Sequence, residues 1–198
     1  MLNVQWTIDK IEVKMNRIGY TKVEKGLIQV YTGEGKGKTT AAIGQGIRAI
    51  GRGNRVYMVQ FLKSSHTGEL STLKRLEPDF KVFRFEKPRD FVWNLNSEQM
   101  EELKCEIKTA FEFVKASLIN KECDMIILDE ILGTIKSKLL SVDEVVELLK
   151  NKPYNVEVAL TGRNAPQEIL DAADYVSTIG CIKHPYQKGI AAREGIEY

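Results

Sequence analysis

The feature that most constrains the fold of this chain is a glycine-rich turn between an apolar run and a helical one. The apolar residues 27–31 lead into Thr-Gly-Glu-Gly-Lys-Gly-Lys-Thr-Thr at residues 32–40, and residues 41–47 have helix-forming character. A turn in this position exposes backbone N–H groups at a helix N-terminus, where the helix macrodipole also favours anions. The sequence therefore predicts a strand, a phosphate-binding loop and a helix in succession.

The side chains of this loop suit a nucleotide. Lys38 supplies a mobile positive charge for phosphate oxygens, and the Thr39 hydroxyl suits Mg²⁺, or Mn²⁺ in its place. The segment departs from the pattern G-x-x-x-x-G-K-[ST] at one position, because Thr32 replaces the first glycine and Gly33 follows one residue later. We predict that a nucleotide binds to the loop residues Thr32, Gly33, Glu34, Gly35, Lys36, Gly37, Lys38, Thr39 and Thr40.

The composition argues against several other classes of protein. A chain of 198 residues with 43% apolar and 28% charged residues is typical of one soluble globular domain. The net charge of +2 gives no strong field for nucleic acid or an anionic membrane, and no apolar stretch approaches the length of a membrane span. We therefore expect a cytoplasmic protein that binds neither nucleic acid nor membranes.

Beyond residue 25, short apolar runs alternate with helical segments, which is typical of an α/β fold. Residues 97–118 form the longest predicted helix, since apolar residues recur there at steps of three and four. Ser141 and Glu144 form a predicted capping box. Asn164 and Gln167 look like a second helix start. The pattern predicts a three-layer fold like that of P-loop NTPases, with a mainly parallel central sheet and strands at residues 27–31, 56–62, 82–85, 125–129, 156–161 and 175–179.

The first 25 residues lie outside this alternation. Their apolar residues fit one face of a helix, although Val4, Trp6 and Ile8 also alternate as they would in a strand. We expect an amphipathic helix that packs on this domain or on a partner subunit. Residues 1–25 are therefore assigned as an N-terminal extension and residues 26–198 as the P-loop domain.

A second part of the nucleotide site is predicted where an apolar strand ends in two carboxylates, Asp129 and Glu130. An acid at this place in a P-loop protein lies beside the phosphate loop and holds Mg²⁺ or its waters. We predict Thr39, Asp129 and Glu130 as metal-binding residues, while the alternative is that the two acids cap the next helix. Glu130 is either a further metal ligand or the base that orients a water molecule.

Two further features have both a functional and a structural interpretation. Arg163 follows the strand that ends at Thr161, and it either contacts phosphate or ribose or lies at the surface of a turn. Phe91 and Trp93 lie in an irregular, charged segment, where they either pack beneath a loop or cover a large flat ligand. Because parallel strands end at one edge of a sheet, Thr161 is expected near Asp129.

Several segments combine into a more specific pattern. They are Gly33 to Ala42, Val59 to Lys63 followed by Gly68 and Glu69, Ile127 to Glu130, Leu160 to Arg163, Lys183 to Tyr186, and Gly195 to Tyr198. Together they resemble the P-loop class of ATP:corrinoid adenosyltransferases over residues 26–198. The displaced first glycine of the phosphate loop is similar to that family's pattern as well.

The resemblance implies transfer of the 5′-deoxyadenosyl group of ATP to the Co(I) of a reduced corrinoid, with release of triphosphate. It implies that Lys38, Thr39 and Asp129, with Glu130, are the catalytic residues, which position the triphosphate and its metal ion. It also implies that Arg163 contacts the nucleotide.

The same resemblance implies further binding partners. Phe91 and Trp93 match the family's aromatic pair near the corrinoid, where apolar side chains shield one face and ease reduction to Co(I). A reduced flavoprotein is implied as the electron donor. We also expect a homodimer in which residues 1–25 reach across to the partner's site, while the choice among corrinoid substrates stays open.

Two other functions remain open at the level of the sequence. A P-loop kinase or ATP hydrolase would use Lys38, Thr39 and Asp129 at the γ-phosphate, although no lid segment rich in Arg and Lys is evident. A non-catalytic module would bind a nucleotide to change its affinity for a partner without consuming ATP.

Overall fold

The computed structural model describes residues 24–63 and 66–198, and it contains one six-stranded sheet. The strands are β1 (Ile28–Thr32), β2 (Val56–Gln60), β3 (Phe80–Phe83), β4 (Met125–Asp129), β5 (Glu157–Thr161) and β6 (Tyr175–Thr178). Their order across the sheet is β3-β2-β4-β5-β1-β6, and every neighbouring pair is parallel. The predicted helix of the N-terminal extension falls on residues 1–23, which lie outside the described residues.

Helices connect the strands and cover the sheet. They are α1 (Lys38–Ile50), α2 (Gly68–Lys74), α3 (Ser97–Ile119), α4 (Ile131–Lys136), α5 (Val142–Lys150) and α6 (Gln167–Ala172), with 3₁₀ turns at Val92–Asn94 and Pro185–Lys188. Capping boxes begin α3, at Asn96 and Gln99, and α5, at Ser141 and Glu144. Among the described helices, none combines the length and apolar character that crossing a membrane requires.

Apolar side chains pack against both faces of the sheet, which gives the fold three layers. One core cluster joins Phe111 of α3 to Leu128 of β4. The other joins Ala42 of α1 to Met58 of β2. All five residues of β4 are buried, as expected for a parallel strand that helices cover on both sides.

The predicted α/β fold with its parallel sheet is confirmed, and so are all six strands. Two strands need a correction of two residues, because β2 ends at Gln60 rather than at residue 62 and β3 spans Phe80–Phe83 rather than 82–85, while the other strand ends lie within one residue of the prediction. The limits of β3 follow from its register with β2, which pairs Val56 with Phe80 and Val59 with Phe83, and β2 ends where Gln60 pairs with Asp129 of β4. Such a register is a property of two strands rather than of one.

One predicted helix start is wrong. The last helix begins at Gln167, after Pro166 in an extended N-cap conformation. Asn164 instead has a left-handed φ of 54°, whereas an N-cap residue adopts extended dihedral angles. Asn164 therefore turns the chain after β5 and does not cap α6.

Candidate active site

The phosphate loop follows β1 directly, and its unusual glycine spacing has a steric cause. Thr32 is the last residue of β1, and its carbonyl accepts a hydrogen bond of 2.8 Å from the N–H of Ile179. A Cβ atom at Gly33 would lie 2.5 Å from the Ile179 carbonyl oxygen, and one at Gly35 would lie 2.4 Å from that of Gly180. Thr32 can carry a side chain because it is still part of the paired strand. Within the loop, position 33 is the first at which a Cβ atom would collide with the neighbouring backbone, so the first required glycine falls there.

Lys38 lies against the loop that it follows. Its Nζ donates hydrogen bonds of 2.8 Å to the carbonyls of Gly33 and Gly35. Burial, and then the nearby Arg163 guanidinium, lower the pKa of the Lys38 ammonium, although Glu130 and Glu34 oppose this shift. The positive charge predicted for phosphate binding is therefore held at the centre of the loop.

The other predicted loop residues have diverse surroundings. The Thr32 hydroxyl accepts a hydrogen bond of 3.4 Å from the N–H of Ala165, and Gly37 is the N-cap residue of α1. Lys36 extends to the C-terminal segment, where its Nζ donates to the Ile196 carbonyl at 2.9 Å. Thr40 lies on the exposed side of α1, at the wall of the cavity.

Asp129 is the most completely bonded side chain of the site. It is fully buried, and its Oδ1 accepts hydrogen bonds from the hydroxyls of Thr39 at 2.8 Å and Thr161 at 2.7 Å. Its Oδ2 accepts from Lys63 Nζ at 2.6 Å and from Gln60 Nε2 at 3.1 Å. The predicted approach of Asp129 to Thr39 and Thr161 is confirmed by this geometry.

The charge state of Asp129 follows from these neighbours. Burial alone would raise the pKa of its carboxyl, but the Lys63 ammonium and the hydrogen bonds from Lys63, Thr161 and Thr39 hold the pKa below its usual range. A buried carboxylate is stable only when it is paired and hydrogen-bonded. The site therefore keeps a negative charge beside the phosphate loop.

A hydrogen-bonded relay orients one of these partners. Arg84 Nε donates to Gln60 Oε1 at 2.7 Å, which turns the amide nitrogen of Gln60 towards Asp129. Gln60, Lys63 and Arg84 were not predicted as site residues. Gln60 is the last residue of β2 and Lys63 lies three residues beyond it. The strand order, which places β2 beside β4, brings both to Asp129.

Glu130 follows Asp129 as the N-cap residue of α4, and its side chain makes no capping hydrogen bond. Its backbone has a left-handed φ of 63°, and its N–H donates to the Thr161 hydroxyl at 2.8 Å. Burial, and then the charge of Asp129, raise the pKa of the Glu130 carboxyl. The side chain lines the same cavity as Lys38.

Arg163 reaches the phosphate loop from the end of β5. Its Nη1 lies 3.2 Å from Oε2 of Glu34, and both side chains are more than half exposed. Arg163 thus lies both at the surface of the turn after β5 and beside the loop, and its contact with phosphate or ribose stays a prediction. The pair balances the negative charge that Glu34 adds to a loop predicted to bind phosphate.

A cavity of about 1270 Å³ connects the phosphate loop to the aromatic pair Phe91 and Trp93. The two rings are stacked, with centroids 4.7 Å apart and planes inclined by 3°. They are 64% and 78% exposed, so the interpretation that they pack beneath a loop is wrong. Asp90 holds their turn by accepting hydrogen bonds from the Phe91 N–H and the Asn94 amide.

The oxygen atoms at the phosphate loop fit a hard divalent cation. The Thr39 hydroxyl and the Asp129 carboxylate lie in contact at 2.8 Å, and oxygen atoms are the ligands that Mg²⁺ prefers. Across residues 24–63 and 66–198, no group of three or more His, Cys, Asp or Glu side chains is arranged to hold a metal ion. A metal ion here would therefore complete its coordination with phosphate oxygens and water.

The parallel sheet, the phosphate loop after β1 and the buried acid at the end of β4 define a P-loop nucleotide-binding α/β protein. The fold is similar to that of the flagellar accessory protein FlaH from Methanocaldococcus jannaschii, with a TM-score of 0.51 and 16% identity over 84% of this chain and 76% of that one. The family model described as ATP:corrinoid adenosyltransferase BtuR/CobO/CobP matches residues 24–198, and the chain belongs to this family.

Individual relatives agree with the family model. The chain is 34% identical to the corrinoid adenosyltransferase of Escherichia coli strain K12, over 92% of this chain and 90% of that protein. It is 37% identical to the corrinoid adenosyltransferase of a Sinorhizobium species, over 88% of this chain and 81% of that protein. The family resemblance predicted from the sequence motifs is thereby confirmed.

Proposed function

We propose that this protein transfers the 5′-deoxyadenosyl group of ATP to the Co(I) of a reduced corrinoid and releases triphosphate. The observation that carries the proposal is the shared cavity, which has a phosphate loop at one end and an exposed aromatic pair at the other. Membership of the adenosyltransferase family supports the same reaction. Hydrolysis of ATP needs only the phosphate end, so an exposed aromatic pair in the same cavity favours a second, apolar substrate.

The phosphate loop and its neighbours bind the triphosphate part of ATP in this proposal. Residues 32–40 contribute the loop N–H groups, and Lys38 contributes a positive charge that is already held against the loop. Arg163 lies within reach of the same phosphates, since it contacts Glu34 of the loop. Positive groups placed before the reaction favour the charge that develops on a leaving group.

Thr39 and Asp129 are the proposed ligands of Mg²⁺ or Mn²⁺, with Glu130 as a further ligand. The support is the hard oxygen pair that Thr39 and Asp129 form at 2.8 Å. When bound, the metal ion supplies positive charge that neutralises the triphosphate as it leaves. Glu130 lies next along the cavity wall, where its negative charge also acts on Lys38.

The bond changes need no nucleophile from the protein. The electron pair of Co(I) attacks C5′ of ATP, the cobalt–carbon bond forms, and the C5′–O bond breaks with both electrons going to the triphosphate oxygen. Lys38 and the loop hold that leaving group, so the chain contributes position and charge. The triphosphate is one product, and the alkylated corrinoid is the other.

Phe91 and Trp93 are the proposed contacts of the corrinoid. A flat macrocycle presents a large apolar face, and the parallel, stacked and exposed rings of this pair offer apolar surface for it to pack on. Covering one side of the corrin excludes axial ligands that stabilise the higher oxidation states of cobalt. The aromatic pair would therefore favour formation of Co(I).

The remaining features of the proposal concern assembly and location. We propose residues 26–198 as the catalytic domain, residues 1–25 as an extension that covers the partner's site in a homodimer, and a reduced flavoprotein as the electron donor. A cytoplasmic location stays a prediction. Analytical ultracentrifugation tests the homodimer, and turnover of a variant without residues 1–20 tests the role of the extension. Unchanged corrinoid affinity in that variant would contradict the covering role.

The reaction itself is tested by its products. Anaerobic incubation with ATP, Mg²⁺ and chemically reduced cobalamin should yield triphosphate in step with a light-sensitive alkylcobalamin spectrum. ADP and phosphate, with an unchanged corrinoid spectrum, would contradict adenosyl transfer and assign the protein to the hydrolases or kinases. ATP binding without consumption would assign it to the non-catalytic modules.

A further inference from the structure

Lys63 contacts both oxygen ligands of the proposed metal site. Its Nζ lies 2.6 Å from Oδ2 of Asp129 and 3.1 Å from Oγ1 of Thr39. The lysine side chain is 25% exposed, whereas that of Asp129 is fully buried. The ammonium therefore bridges the same hydroxyl and carboxylate that we propose as ligands of Mg²⁺.

Electrostatics explains why a cationic side chain lies beside the Asp129 carboxylate. Among the described residues, four donors satisfy the Asp129 carboxylate. Thr39, Gln60 and Thr161 are neutral, so of these four only Lys63 balances its charge by direct contact. A buried carboxylate without a counter-charge is strongly unfavourable. Lys63 thus stabilises the folded protein through Asp129.

The ammonium and a metal ion cannot occupy this position together. Mg²⁺ binds oxygen ligands at about 2.0–2.1 Å, and an ammonium bridging the same two oxygens would face it at a few ångströms with a like charge. Lys63 also lines the cavity that holds the phosphate loop, so a side chain leaving Asp129 stays within the site. Rotation of its flexible stem is enough to free both oxygens.

We propose that Lys63 is the resident cation of the metal site in the nucleotide-free protein and leaves Asp129 when the metal ion enters with ATP. The inference rests on the proposed function for the assignment of Thr39 and Asp129 as metal ligands. Lys63 is a positioning residue in this scheme, because it acts through Asp129. As a consequence of this competition, free metal ions bind weakly, whereas a metal ion that arrives with ATP binds well. The metal ion therefore enters the site together with the nucleotide and not before it.

Manganese binding tests the competition without any turnover. Free Mn²⁺ is titrated by electron paramagnetic resonance against the full chain in the absence of nucleotide and corrinoid. The apparent Mn²⁺ affinity falls in proportion to the fraction of molecules in which Lys63 is away from Asp129. If that fraction is about a tenth or less, Lys63→Met should bind Mn²⁺ at least about tenfold more tightly than the unmodified protein. Lys63→Arg keeps the charge and should bind Mn²⁺ as weakly as the unmodified protein.

Lys136 provides a matched control, because it lines the same cavity at the end of α4. Lys136→Met removes the same charge from the cavity, and its Mn²⁺ affinity should change less than about threefold, as for a screened charge at a distance. Equal gains in Mn²⁺ affinity for Lys63→Met and Lys136→Met would overturn the inference, since the effect would then come from the overall charge of the cavity and not from contact with Asp129. An unchanged or weaker Mn²⁺ affinity in Lys63→Met would overturn it as well.

Thermal unfolding keeps the proposal testable if Lys63→Met is unstable. Without metal, the Tm of Lys63→Met should lie below that of the unmodified protein. Millimolar Mg²⁺ should raise the Tm of Lys63→Met by more than it raises the Tm of the unmodified protein, because ligands stabilise the state that binds them. A Tm deficit that Mg²⁺ leaves unchanged would contradict the resident-cation role.

Failure of this inference is distinguishable from failure of the proposed function. Triphosphate formation together with unaltered Mn²⁺ affinity in Lys63→Met would reject the role of Lys63 alone. Tighter Mn²⁺ binding in Lys63→Met together with ADP formation would support the role of Lys63 and reject adenosyl transfer.

Discussion

The two ends of the cavity differ in how much of their structure exists before a ligand arrives. At the nucleotide end, Asp129 is fully buried and accepts four hydrogen bonds, and the loop glycines pack against residues 179–180. At the corrinoid end, Phe91 and Trp93 are 64% and 78% exposed, on a short turn that Asp90 holds.

The difference teaches where each ligand obtains its binding energy. A polar, charged ligand requires preformed partners, since unpaired polar groups are costly in a buried site. A flat apolar ligand requires only accessible rings, and it covers them itself on binding. Substitutions at the nucleotide end should therefore alter folding and nucleotide binding, whereas those at the aromatic end should alter only corrinoid chemistry.

The largest effect is expected for Lys38→Ala. Loss of the charge that holds the leaving triphosphate should lower kcat/KM about 10²–10³-fold, as for other preorganised electrostatic groups. Lys36→Ala is the matched comparison, because Lys36 extends to Ile196 instead. Its kcat/KM should fall less than about tenfold, as for an exposed charge. Steady-state turnover and circular dichroism of both variants check this prediction, and equal losses would contradict the distinction between the two lysines.

The next effect concerns the packing of the phosphate loop. A Cβ at Gly35 would lie 2.4 Å from the Gly180 carbonyl oxygen, so Gly35→Ala should lower the free energy of unfolding by about 2–3 kcal/mol. A Cβ at Gly44, within α1, would meet nothing within 4 Å. Gly44→Ala should therefore raise the free energy of unfolding by about 0.5–1 kcal/mol, since alanine favours helices.

Urea unfolding of both glycine variants checks the packing prediction. Equal free energies of unfolding in Gly35→Ala and the unmodified protein would contradict the close approach of residues 179–180. A loss of stability in Gly44→Ala would show that this helix position is less open than described.

A smaller effect is expected for Glu86, which lines the cavity between its two ends. Burial raises the pKa of its carboxyl from 4.5 to about 7, against the hydrogen bond from the Leu62 N–H. The folded protein thus holds this proton more tightly than the unfolded chain. The resulting stability is fully present below pH 4.5 and is lost as pH rises through 7.

Glu86→Gln tests this pH dependence, because its amide oxygen can still accept from Leu62. Between about pH 5 and 8, the unmodified protein should lose about 2 kcal/mol more stability than Glu86→Gln. Denaturant unfolding at both pH values provides the measurement. Parallel stability curves for the two proteins would mean that the pKa of Glu86 is not raised.

The smallest effect is expected at the aromatic end. Trp93→Ala should slow adenosylation that starts from Co(II) by about tenfold, the loss expected for one aromatic contact, with less change when Co(I) is supplied chemically. Tyr154 is the matched control, because it is 69% exposed and lies outside the cavity lining. Tyr154→Ala should leave both rates unaltered, and equal losses of both rates in Trp93→Ala would contradict the shielding role.

Local patterns predicted the strands and the phosphate loop, because each lies within one short stretch of chain. The approach of Asp129 to Thr39 was predictable as well, since parallel strands end at a common edge. Gln60, Lys63 and Arg84 were missed because their roles depend on the lateral order β3-β2-β4. The segment Val59 to Lys63 of the family pattern contains Gln60 and Lys63, but it does not encode the lateral order that brings them to Asp129.

The errors have the same origin in non-local structure. The limits of β3 follow from its register with β2, and the side chain at position 32 is explained by the packing of the loop on residues 179–180. The exposure of Phe91 and Trp93 depends on how the 3₁₀ turn at Val92–Asn94 meets the cavity. Tertiary contacts of this kind determine strand limits and side-chain exposure, which the local sequence does not specify.

The central claim is that the bond broken in ATP is C5′–O, and isotope labelling tests it most directly. ATP that carries ¹⁸O in the 5′ position, between the ribose and the α-phosphorus, is turned over with Co(I) corrinoid. If the C5′–O bond breaks, mass spectrometry should find all of the label in the released triphosphate. Unlabelled inorganic phosphate together with ADP that retains the ¹⁸O would contradict adenosyl transfer.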